Sequence, residues 1–146
     1  MITVDKSSFR DHSGYIFTYR NIIYRQINII YKPFYDVLMN SGLYTKLTEK
    51  KLLIKHIEIQ PEMLNIPRAG NCYKIIKPEQ LQFISYPYGW SFSQLKDAAL
   101  LTLQIQKICI EYGLSLKDAS AYNIQFLDGA PIFIDTLSFE EYNPNK

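Results

Sequence analysis

The sequence predicts an α+β fold, and three observations carry that reading. Runs rich in Ile, Tyr, Phe and Thr fill the first half of the chain and read as strands. After Trp90 the apolar spacing changes from two-residue to helical and holds to Tyr112. Two short apolar runs then flank Leu127-Asp128-Gly129-Ala130, the pattern of a hairpin with an Asp-Gly turn. Strands that follow one another through short turns pair antiparallel, so an antiparallel N-terminal sheet is expected.

The elements follow in order. Gly14 to Tyr19 and Ile22 to Ile27, separated by Arg20-Asn21, predict a first hairpin. Pro33 suits the first turn of a helix, with Phe34, Val37, Leu38 and Leu43 as its buried stripe and Gly42 interrupting or ending it. Leu43 to Glu49 reads as a second short helix or a loop. Leu52 to Ile59 reads as a strand, and Gln60 to Asn71, with two prolines and a glycine, as a loop. Tyr73 to Lys77 and Gln82 to Tyr86 are two further predicted strands. Pro87-Tyr88-Gly89-Trp90 breaks the pattern, and Ser91 with Gln94 forms a capping box. Leu95, Ala98, Ala99, Leu101, Thr102, Ile105, Ile108, Cys109 and Tyr112 then mark one helix from about Ser93, which Gly113 ends. Asn123 to Phe126 and Ile132 to Ile134 make the final hairpin.

The 146 residues suit one domain with a sizeable core, and an apolar content of 47% excludes a disordered chain. A net charge of +2 lacks the basic footprint of a nucleic-acid binder. Twelve tyrosines and eight phenylalanines are read as core and hairpin-face residues rather than base-stacking platforms. Cys72 and Cys109, far apart and with no CxxC spacing, exclude a disulfide framework and a zinc site. The sequence holds no secretory h-region and no run of about 18 apolar residues, so no signal peptide or membrane span is expected and a cytoplasmic setting is the expectation.

The chemistry-bearing stretch runs from Leu116 to Asp135. Asp118 is followed five residues later by Asn123, and a strand, Pro131-Ile132-Phe133-Ile134, ends at Asp135. Phosphoryl transfer from a magnesium nucleotide uses such a set: one carboxylate to orient or deprotonate the acceptor hydroxyl, and an amide oxygen and a second carboxylate to hold Mg²⁺. A plain hairpin with a capping aspartate produces the same spacing without chemistry.

Residues 116–135 resemble the catalytic core of the protein-kinase-like superfamily, especially its aminoglycoside-phosphotransferase-like branch. The resemblance implies Asp118 as the catalytic aspartate and Asn123 and Asp135 as Mg²⁺ ligands, with ATP as the nucleotide. Two departures stand out: Leu116-Lys117 replaces the His or Arg ahead of the aspartate, and Asp135-Thr136-Leu137 replaces Asp-Phe-Gly. It also implies an N-lobe over about 1–86, a hinge over 87–90 and a partial C-lobe over 91–146, all in one kinase-like domain. Kinase-like enzymes carry further acceptor-binding helices beyond this point, so the chain is read as a truncated or a reduced version.

By the same resemblance Arg25 stands where the family has its phosphate-binding lysine, with Asp36 or Glu49 as its acidic partner, the alternative being an exposed strand residue; Lys117, beside Asp118, reads equally as a phosphate contact or a solvated lysine. No glycine-rich phosphate loop precedes the first hairpin, where only Ser13-Gly14 stands. His56 and His12 are read as structural residues, and Tyr88 and Trp90 as packing residues beside the hinge. The longer string from Ile84 to Glu140 is similar to the N-terminal region of bacterial proteins labelled SAM-dependent methyltransferases, although it has no G-x-G-x-G-like cofactor loop. Two functions are therefore expected to compete. One is a Mg²⁺–ATP phosphotransferase acting on an unknown hydroxyl acceptor. The other is a non-catalytic kinase-like regulatory module with a protein partner, associated with a methyltransferase.

Overall fold

Two tight turns set the β-structure at both ends of the chain. Arg20 and Asn21 both take positive φ (52° and 65°), as do Asp128 and Gly129 (54° and 83°). Positive φ at both central residues defines the type I′ turn, whose twist matches that of the strands it joins. Gly129 adopts this conformation without steric cost, whereas Arg20 carries a Cβ there. These turns belong to a computed structural model that describes residues 2–4, 13–60, 62, 71–81, 87–117 and 121–145. The predicted strand Gln82 to Tyr86, together with His12 and Asp118, lies outside the described residues.

The chain divides into two units, one of residues 1–33 and 55–80, the other of residues 34–54 and 81–146. The first is a single antiparallel sheet of β1 (Ile2–Val4), β2 (Gly14–Tyr19), β3 (Ile22–Asn28), β4 (His56–Ile59) and β5 (Cys72–Pro78) in the order β1-β2-β3-β5-β4. The predicted first hairpin is β2–β3, with Phe17 opposite Tyr24. Their rings stack at 5.5 Å and 16°, and with Ile75 they form the core of one sheet face. Polar side chains continue that face as a chain: the Tyr15 hydroxyl donates to Gln26 Oε1 at 2.8 Å, and Gln26 Nε2 donates to Asn28 Oδ1 at 2.9 Å. Gln26 and Asn28 are buried, and the bonds between them offset the cost of removing amides from water. Burial, and secondarily Cys72, pushes the Tyr15 phenol above its usual range.

The second unit packs helices against two small sheets. It takes in most of α1 (Lys32–Asn40) and all of α2 (Leu43–Glu49), α3 (Phe92–Glu111), β6 (Leu114–Leu116), β7 (Ile124–Leu127), β8 (Ala130–Phe133) and β9 (Phe139–Glu141). β7 pairs with β8 and β6 with β9, both antiparallel. The predicted capping box is present: the Ser91 hydroxyl accepts from Gln94 N–H and Gln94 Oε1 accepts from Ser91 N–H. Leu38, Leu43, Leu47, Ala98, Leu101, Ile105, Ile124, Phe133 and Phe139 form one core.

Several sequence expectations are corrected here. The run Leu52 to Ile59 is not one strand. Leu52 O accepts from Phe133 N–H and Ile54 N–H donates to Phe133 O, so 52–54 clamps β8 in parallel, and only His56–Ile59 joins the large sheet. Val37 is exposed and Tyr35 takes its place in the buried stripe of α1, while Leu43 belongs to α2. In α3 the buried stripe is Ala98, Leu101, Ile105, Ile108 and Cys109, while Leu95 and Ala99 are exposed. Phe92, Leu95, Leu103 and Ile110 line the opposite side of this helix, with Phe92 at 84% and Leu103 at 66% exposure. The spacing read from sequence nonetheless picks the inward side, since Ala98, Leu101, Ile105, Ile108 and Cys109 are all buried.

Two tests follow. Leu101→Ala removes a buried side chain and should lower the unfolding free energy by about 2–5 kcal/mol, whereas Leu103→Ala should cost less than about 0.5 kcal/mol, as read by urea denaturation. Burial pulls His56 down to about 4 from 6.5, against the opposing pull of Glu58. The unfolded chain then binds the extra proton between those values. This contribution to stability is therefore complete above pH 6.5 and is lost as pH falls towards 4. The loss should reach roughly 3 kcal/mol, and His56→Gln should flatten this part of the stability–pH curve.

Candidate functional site

One hairpin positions the candidate ligands. In β7–β8, Ile124 faces Phe133 and Gln125 faces Ile132, and the Asp128-Gly129 turn closes one end. At the open end the ladder runs one rung further, because Ile134 N–H donates to Asn123 O at 2.8 Å. Asn123 thus stands across from Ile134, and Asp135 is the next residue along. The backbone of Asn123 therefore stands one position from that of Asp135 at the open end of the hairpin, within the second unit. Below them, Ile124, Phe133, Leu137 and Phe139 are almost fully buried. The Phe133 and Phe139 rings meet edge-on at 6.4 Å.

The Asp135 carboxylate is held locally at both oxygens. Oδ1 accepts from Leu137 N–H at 3.0 Å, and Oδ2 accepts from the Ser138 hydroxyl. Ser138 is 1% exposed. Its carbonyl accepts from Lys117 N–H at 2.6 Å, one rung beyond the β6–β9 pair Leu116–Phe139. Gln106 of α3 adds a tie, its Oε1 accepting from Leu116 N–H at 2.8 Å. Lys117, Asn123, Asp135 and Ser138 are in this way indexed to one another through backbone ladders. Asp118 follows Lys117 directly and lies outside the described residues.

A hard cation requires oxygen donors, and the hairpin end supplies an amide and a carboxylate. The Asn123 Nδ2 atom is buried and donates to no hydrogen-bonding partner. The two ends of a carboxamide are nearly equal in shape, so a half-turn sets the oxygen in that position. Among the described residues, no three His, Cys, Asp or Glu side chains group at metal-binding spacing. Mg²⁺ takes one or two carboxylates and fills its remaining positions with water and phosphate.

The other sequence candidates separate. Arg25 lies on β3 in the first unit, half-buried between its cross-strand partners Ile16 and Ile76. The Lys117 side chain is exposed. Trp90 packs edge-on against Phe126 at 4.9 Å inside the core, while Tyr88 is exposed. Burial pushes the Cys109 thiol up to about 12, which removes it as a nucleophile. An open cleft of about 450 Å³ is lined by Phe34, Glu140, Glu141, Tyr142, Asn143 and Pro144, and none of the candidate ligands lines it. Ser138 and Gln106 were not singled out from sequence. A serine three residues after an aspartate is the available local signal for the first, and nothing in the spacing marks the second.

Among the described residues, no helix is long and apolar enough to cross a membrane. The chain is 33% identical over 139 residues to Nodulation protein NoeA of Rhizobium meliloti (strain 1021), a match that covers 95% of this chain and 29% of that protein. The chain therefore spans less than a third of the length of this curated relative. No protein-family profile matches the chain, and no solved structure matches it.

The hydrogen bonds at Asp135 predict a stability cost independent of any ligand. Asp135→Asn turns one accepting oxygen into a donor that faces another donor, and should cost about 1–3 kcal/mol in ligand-free thermal melts. Lys117→Ala leaves the backbone bond to Ser138 in place and should melt with the parent protein.

Proposed function

We propose that this chain is a kinase-like domain that binds a Mg²⁺–nucleotide at the open end of the β7–β8 hairpin and transfers its terminal phosphoryl group to a hydroxyl acceptor. The observation that supports the reading is the backbone register of that hairpin, in which Asn123 stands across from Ile134, the residue before Asp135. Asn123 and Asp135 would hold the cation through oxygen. Asp118 would orient the acceptor hydroxyl and take its proton. When bound, Mg²⁺ supplies charge neutralisation for the phosphates. Arg25, by resemblance, and Lys117, by its position before Asp118, are the cations assigned to phosphate. The similarity to Nodulation protein NoeA supports a role in nodulation as part of a longer protein, with a small molecule or a protein as acceptor.

A second reading, a non-catalytic kinase-like regulatory module, is favoured by one observation: only Ser13-Gly14 stands where a phosphate-cradling glycine loop would precede the first hairpin. Backbone N–H groups of such a loop do much of the phosphate binding, and without them the affinity rests on the cation and side chains.

A thermal titration separates the readings. A ligand present at 100 times its Kd stabilises the fold by about 2.7 kcal/mol. ATP with Mg²⁺ should raise Tm by several degrees, ATP with chelator should raise it less, and Asn123→Ala should abolish the difference. Asp118→Asn should keep the shift and lose phosphoryl transfer. A shift without transfer in the parent protein supports the non-catalytic module, and no shift with any nucleotide overturns both the cation site and the phosphotransferase.

A further inference from the structure

We draw no further inference here: the strongest candidate, the exposed apolar face of α3 formed by Phe92, Leu95, Leu103 and Ile110, carries nothing because no feature of the described residues shows what covers it.

Discussion

The constraint on which the second unit depends is the register of Ile124 against Phe133. Side chains alternate faces along a strand, so a slip of one residue would carry Phe133 out of the core and reverse every neighbour on the hairpin. Three contacts hold the register. The Asp128-Gly129 turn fixes the loop at two residues. The 52–54 segment clamps both backbone groups of Phe133. The Phe133 ring is fully buried against Phe139. The polar end of the hairpin inherits its geometry from these apolar contacts. The ladder stands Asn123 across from Ile134, the residue before Asp135.

Most of the elements were legible in the sequence because they rest on local rules. The capping box at Ser91 and Gln94, the Asp-Gly hairpin and the β2–β3 pairing all follow from residues within a few positions of one another. What could not be read depends on distant partners. Leu52 to Ile59 looks uniform as a string, yet its first part bonds to Phe133 and its last part to β5. By contrast, the spacing in α3 marks the inward side with Leu101, Ile105, Ile108 and Cys109, and it errs at Leu95 and Ala99, which are exposed.

The candidate site divides in the same way. The D-x-x-x-x-N spacing and the strand ending at Asp135 are visible in the chain, and the turn between β7 and β8 brings Asn123 across from Ile134; Asp118 lies outside the described residues. The Ser138 contact to Asp135 is local, but its backbone bond to Lys117 spans two strands and a helix-tethered loop, so no window of sequence contains it. An aspartate that accepts two hydrogen bonds within its own turn is by itself a structural residue. It becomes a ligand only if the orphaned Asn123 amide and the Asp118 loop complete the set, and the metal-dependent measurements address that condition.

The different settings of the two cysteines have a practical consequence. Cys109 is buried in the α3 core with its thiol pushed up to about 12, while Cys72 is only half-buried at the start of β5. Thiolate is the reactive form, so at neutral pH a maleimide probe should find Cys72 and pass over Cys109. Toward such reagents a two-thiol chain behaves as a singly addressable one. A fluorophore can then be seated on the large sheet, beside the Tyr15–Gln26–Asn28 chain, with no engineered residue.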